Sequence, residues 1–179
     1  WWMLRWMGHS DVKVLDGGFA AWQAAGFALA SGNEAYQSAI YEGPADDDLW
    51  VSVETVESMV GQASGLIVDA RETSRFKGWQ EPLDLVAGHI PSALNRPFIE
   101  NMREGKFKST GELRQAFKTL IRARSPRDVI HSCGSGVTAC HNLLAMEHAG
   151  LPGSRLFVGS WSEWITDQRR EVVIEPNDS

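Results

Sequence analysis

Four short apolar runs, separated by helix-sized amphipathic segments, constrain this chain more than any other feature. Leu66-Ile67-Val68-Asp69-Ala70, Ala93-Leu94-Asn95, Asp128-Val129-Ile130-His131-Ser132 and Arg155 to Val158 have the length of buried strands. Ser52 caps a helix over 53–60 that stops at Gly61. Ser109-x-x-Glu112 is a capping box opening a helix to about Ile121, with Leu113, Phe117 and Leu120 on one face. A further helix runs from the loop after Cys133 through His148 and stops at Gly150, and Ser160 to Thr166 makes the last one. Strands that alternate with helices pair in parallel. The expected class is therefore α/β, with a mostly parallel central sheet and helices on both faces.

A formal charge of −6 over 179 residues argues against nucleic acid or an anionic membrane surface as the main partner. No apolar run approaches the roughly 18–20 residues that span a bilayer. Two cysteines, Cys133 and Cys140, are too few for a disulfide scaffold, so a reducing, cytoplasmic compartment is expected. The chain opens on Trp-Trp-Met-Leu, with neither initiator Met nor signal pattern, and reads as an internal fragment whose targeting segment would lie upstream.

The sequence also echoes itself. Gly8 and Gly150 are 142 residues apart, and the same offset pairs Gly17 with Gly159, Val14 with Leu156, Leu15 with Phe157, Phe19 with Trp161 and Trp22 with Trp164. Each copy reads as a helix ending at Gly, an apolar strand, a small-residue turn and an aromatic-bearing helix. Six matches in one register point to duplication rather than shared punctuation. Residues 1–27 are then the tail of a truncated N-terminal domain of the same kind. Residues 28–49, small, polar and acidic at Asp46-Asp47-Asp48, make a linker, and 50–179 form a catalytic domain. The native partner of that domain would be the missing N-terminal domain of the same chain.

Ser132-Cys133-Gly134-Ser135-Gly136-Val137-Thr138 lies at the carboxyl end of a strand and opens a helix, the edge where open α/β sheets bind ligands. The glycines allow several backbone N–H groups to converge on one centre, and the helix N-terminus adds positive potential there. A cysteine so placed is an acidified nucleophile, and the loop would also suit a persulfide anion with an exposed sulfur. The alternative is a small buried cysteine at a strand end, which leaves the glycines without a purpose.

These residues resemble the active-site loop of the 3-mercaptopyruvate sulfurtransferase branch of the rhodanese superfamily. Other segments resemble family signatures in order: Leu66-Ile67-Val68-Asp69-Ala70-Arg71, Arg75-Phe76-Lys77-Gly78, Gly88-His89-Ile90-Pro91-Ser92-Ala93-Leu94-Asn95 and Gly159-Ser160-Trp161-Ser162-Glu163-Trp164. The resemblance implies a rhodanese-like fold and sulfur transfer through a Cys133 persulfide, with a small-molecule donor and a thiol acceptor, such as a thioredoxin-like dithiol, or cyanide. No cofactor or metal is implied. Gly134, Gly136, Val137 and Thr138 would supply the cradle, with the Ser135 hydroxyl bonding substrate or relaying a proton. Arg75 would grip the donor carboxylate, its alternative being a surface salt bridge, and Asp69 and Arg71 would hold the loop. Leu83 departs from the family, standing where many members have a second carboxylate-binding arginine. The family's proposed His/Asp proton relay would lie upstream, so the fragment alone is expected to be weakly active or inactive.

The neutral Gly134-Ser135 pair favours mercaptopyruvate over thiosulfate, whose enzymes carry basic residues after the cysteine. Thiosulfate:cyanide transfer and a non-catalytic sulfur-binding module remain alternatives. A phosphatase of this fold would need an arginine six residues after Cys133, where Ala139 stands. Zinc binding through His131, Cys133, Cys140 and His141 lacks a close cysteine pair. Cys140 shares a helix face with Leu144 and reads as core, His141 and His148 as helix surface.

Overall fold

The computed structural model describes residues 1–62 and 65–177, so residues 178–179 of the expected catalytic domain, and 63–64 within it, lie outside the described residues. The strands are β1 (Trp50–Val51), β2 (Leu66–Asp69), β3 (Leu94–Asn95), β4 (Met102–Arg103), β5 (Lys106–Phe107), β6 (Val129–Ser132) and β7 (Arg155–Phe157). Five of them make one sheet in the order β1-β7-β6-β2-β3, every pair parallel, while β4 and β5 form a separate hairpin. The α-helices are α1 (Trp2–Trp6), α2 (Gly18–Ala24), α3 (Val53–Met59), α4 (Thr73–Phe76), α5 (Thr110–Ile121), α6 (Ala139–His148) and α7 (Ser160–Trp164).

Strand alternation divides the core in two. Ile67, Ile130 and Phe157 pack with Val53, Val56, Phe76, Trp161 and Trp164, so α3, α4 and α7 cover one face. Leu66, Val68 and Val129 pack with Leu113, Phe117, Ile121, Ala145 and Met146, so α5 and α6 cover the other. The Ser109–Glu112 capping box forms, and the apolar stripe of α5 places Leu113 and Phe117 fully out of water. Each such side chain contributes about 1.5–3 kcal/mol of transfer free energy. Register pairs Asp69 with both Asn95 and Ser132, so β2, β3 and β6 end level with one another. Asp69, Arg71 and Cys133 therefore emerge at one sheet edge.

Residues 10–15 form no strand, because a strand needs a neighbour for its ladder hydrogen bonds and none is at hand. Elsewhere the echo matches in part: Gly8 and Gly150 both lie at positive φ, as do Gly18 and Ser160 142 residues later, whereas Gly17 is left-handed at φ +85° and Gly159 right-handed at φ −70°. No residue in 1–49 is buried. Three elements escape the sequence pattern: β1, two residues long, α4, four residues long, and the hairpin, whose turn residues Glu104 and Gly105 both have positive φ. The hairpin changes the setting of His141, expected on the surface. Its ring lies 4.9 Å from that of Phe107 and 5.4 Å from that of Phe98, half-buried, and burial holds its pKa below the ordinary value. Cys140 packs against the apolar cluster around Cys133, and burial pushes its thiol up to about 11.

Candidate active site

Cys133 follows directly on β6, the central strand, and residues 134–138 carry the chain into α6. Its backbone is held from three sides. The Cys133 N–H donates to Ser160 Oγ at 3.1 Å, and that hydroxyl donates onward to the Phe157 carbonyl at 2.9 Å. The Cys133 carbonyl accepts from the Trp161 N–H at 3.0 Å. The Gly134 carbonyl lies 2.8 Å from both the amide nitrogen and the hydroxyl of Ser162. Across a trans peptide the N–H points opposite to the carbonyl. Anchoring these two carbonyls on α7 therefore turns the amides of Gly134 and Ser135 away from it. Among the described residues, the amides of Gly134, Ser135, Gly136, Val137 and Thr138 donate to no protein acceptor.

Gly136 makes the bend. Its φ is +81°, and a Cβ there would stand 2.4 Å from the Val158 carbonyl oxygen. Gly134 is roomier: a Cβ there would find its nearest neighbour, Arg75 Nη2, at 3.5 Å. Ser135 and Val137 face solvent and Thr138 is half-buried at the start of α6. Cys133 itself differs from the exposed sulfur expected: the residue is 1% accessible, packed with Ala70, Ala139, Leu143 and Leu156. The apolar ends of β2, β7 and α6 converge on the same point and cover it.

A charged cluster flanks the loop. Asp69 accepts from the Arg71 backbone N–H at 2.8 Å and from Arg71 Nη2 at 2.7 Å. Arg71 also donates to the Gly88 carbonyl at 2.8 Å and lies over the Trp161 ring at 4.9 Å. Asn95 Nδ2 donates to the carbonyls of Asp69 and Arg71. Arg75 is not free, as a simple carboxylate grip would have it. Its Nη2 donates to Glu81 at 2.7 Å and to Asp84 at 3.2 Å, and its Nε to Glu81 at 3.1 Å. Only Nη1 keeps its hydrogens unclaimed among the described residues, and it would lie 3.7 Å from a Cβ on Gly134. Burial works to raise the Glu81 pKa, but hydrogen bonds from Arg75 and from the Leu83 and Asp84 N–H groups outweigh it and hold the carboxyl below its ordinary value.

Four residues of this arrangement were not singled out from the sequence as site residues: Glu81, Asp84, Ser160 and Ser162. Asp84 Oδ1 lies 2.7 Å from Ser162 Oγ, linking the cluster to the loop. A cavity of about 400 Å³ lined by Asp84, Leu85, Val86, Ser162 and Ile165 adjoins them. A second, of about 590 Å³, lies between residues 12–18 and the outer face of α6 and touches none of residues 133–138.

A parallel sheet whose central strand delivers one cysteine, on a glycine-bent loop with unpaired amides, to the start of a helix defines a cysteine-loop α/β domain. The chain belongs to the rhodanese-like domain family, whose model matches residues 52–167. It is 47% identical over 175 residues to a probable 3-mercaptopyruvate sulfurtransferase of Pseudomonas aeruginosa, covering 97% of this chain and 62% of that protein. It is 36% identical to the thiosulfate sulfurtransferase of Gallus gallus, covering 92% of this chain and 57% of that one. The crystal structure of SseA from Escherichia coli, a 3-mercaptopyruvate sulfotransferase, superposes with a TM-score of 0.76 at 37% identity, over 90% of this chain and 60% of SseA. The chain thus spans about six-tenths of the length of these relatives.

Proposed function

We propose that this chain carries the nucleophilic half of a sulfurtransferase that moves sulfur from 3-mercaptopyruvate, through a Cys133 persulfide, to a thiol or cyanide. The observation that carries the reading is the set of unclaimed amides from Gly134 to Thr138 next to Cys133, with a single free arginine nitrogen, Arg75 Nη1, beside Gly134. The donor carboxylate sits on Arg75, and Ser135 bonds the donor carbonyl. The Cys133 thiolate attacks the donor sulfur. The carbon–sulfur bond breaks, its electrons pass to the carbon that becomes the methyl of pyruvate, and that carbon takes up the proton that the donor thiol gives up. The outer persulfide sulfur rests as an anion on the loop amides, the kind of fixed dipoles that hold developing charge without reorganising. An acceptor thiol, as in a thioredoxin-like dithiol, or cyanide then attacks it, and Cys133 leaves as thiolate. Asp69 and Arg71 hold the edge on which this happens.

The similarity to the Pseudomonas aeruginosa protein supports mercaptopyruvate as donor; the similarity to the Gallus gallus protein supports thiosulfate as the second reading. Treating the chain with each donor and mapping Cys133 by mass spectrometry tests the proposal. One added sulfur on Cys133, lost on adding a dithiol, is expected. No adduct from either donor on the two-domain protein, with Cys133 reduced, would leave a sulfur-binding module instead. The echo at 142 residues supports a tandem architecture, with residues 1–27 belonging to a second unit and 28–49 joining it to the catalytic domain. Two free thiols support a reducing, cytoplasmic setting. Among the described residues no helix is long and apolar enough to cross a membrane.

A further inference from the structure

The charged cluster beside the loop is not neutral. Arg71 and Arg75 stand against Asp69, Glu81 and Asp84. Asp69 and Glu81 are the tightly matched pair, each 2.7 Å from its guanidinium with a side chain only 3% exposed. Asp84 is the surplus charge. It reaches Arg75 at the longer distance of 3.2 Å and is the most exposed of the three carboxylates, at 13%. Its Oδ1 is tethered at Ser162 Oγ, and its Oδ2 would lie 3.8 Å from a Cβ on Gly134. The carboxylate is therefore fixed at the rim of the cysteine loop, and residues 133–138 contain no cation to offset it.

An anion approaching Cys133 finds one open cationic nitrogen, Arg75 Nη1, and one fixed negative charge, Asp84. A monoanionic donor can place its charge on the first and present neutral atoms to the second. Among the described residues a dianion has no second open cation to meet, and its further charge is repelled by Asp84 at short range. We propose that Asp84 is a specificity-determining residue, a tethered carboxylate at the rim of the Cys133 loop that selects singly charged sulfur donors over doubly charged ones. This rests on the reading of Cys133 as the sulfur-accepting nucleophile and adds the residue that sorts donors by charge. A charge placed for discrimination does this by repelling the wrong ligand as much as by holding the right one.

The test compares the full chain with Asp84→Asn, which keeps the shape and the bond to Ser162 but removes the charge, and with Asp84→Glu, which restores it. Alkylation of Cys133 is followed by peptide mapping with bromosuccinate, a dianion, and iodoacetate, a monoanion. The ratio of the two rates cancels any change in folding or access common to both. In Asp84→Asn the bromosuccinate/iodoacetate ratio is expected to rise about three- to tenfold at low salt, from one unit charge removed at close range. The gain shrinks as salt is added, and Asp84→Glu returns to the parent value. Single-turnover loading of the persulfide from thiosulfate, relative to 3-mercaptopyruvate, rises in the same variant by about tenfold. An alkylation ratio unchanged in Asp84→Asn, or a gain indifferent to salt, overturns the proposal. If the alkylation ratio moves while neither donor loads sulfur on Cys133, the charge filter stands and the sulfurtransferase reading is the part that fails.

Discussion

Replacing Gly136 by alanine perturbs the loop at the point where backbone, not side chain, sets its shape. At φ +81° an L residue costs about 1–2 kcal/mol relative to the right-handed regions. The new methyl would also stand 2.4 Å from the Val158 carbonyl oxygen, a backbone atom just past the end of β7 that cannot turn aside. Forcing an extra carbon into a packed site typically costs about 1–3 kcal/mol. The two together predict a loss of about 2–5 kcal/mol, a large share of the roughly 5–15 kcal/mol that a domain has in total. Gly134→Ala is the control. Gly134 is outside the left-handed region and its nearest neighbour to a new methyl is 3.5 Å away, so its stability change should stay under about 0.5 kcal/mol. Urea unfolding of both variants measures the difference, and alkylation of Cys133 at a urea concentration where each is folded reports the loop. Two variants equal in midpoint and in Cys133 reactivity would refute the steric argument for Gly136.

Three further outcomes follow from the same geometry. Arg71→Ala leaves Asp69 and Glu81 buried beside a missing cation and should cost about 3–5 kcal/mol in urea unfolding; a loss below about 1 kcal/mol would mean the pairs are solvated. His131 is fully buried, its Nε2 turned to the Met146 sulfur at 3.1 Å and its Nδ1 without a hydrogen-bond partner among the described residues. Burial pulls its pKa down to about 3 from 6.5, so between those values the unfolded chain binds the extra proton. Stability is full above the upper value and falls with pH through the window, by at most about 1.4 kcal/mol per unit. His131→Leu should flatten that acid slope, and an unchanged slope would assign it to other groups. Gly134→Arg, whose Cβ meets nothing closer than 3.5 Å, brings a cation to the rim beside Asp84 and should raise thiosulfate loading of Cys133 relative to mercaptopyruvate; no change in the ratio would count against charge as the donor filter.

The main strands were legible because each is a continuous apolar run that must be covered on both faces, and α5 because its capping box and apolar stripe are local in sequence. Even the cysteine loop was legible, since a strand, two glycines and a helix start lie within a few residues of one another. β1 and the β4–β5 hairpin were not, because two-residue strands carry no periodicity. His141 looked like helix surface until Phe98 and Phe107, from outside its helix, closed over it.

The sequence by itself determined the α/β class and the glycine-containing loop centred on Cys133 between a strand end and a helix start, both of which depend on neighbours in the chain. Only the tertiary structure decided how that centre is equipped. Glu81 and Asp84 lie in an aperiodic stretch, yet they take most of Arg75's hydrogen bonds, while Ser160 and Ser162 grip the loop from 27 and 28 residues away. Ion pairs and carbonyl anchors of this kind are set by where the sheet brings its strand ends together. Nothing in the spacing of charged or hydroxyl residues along the chain records that meeting.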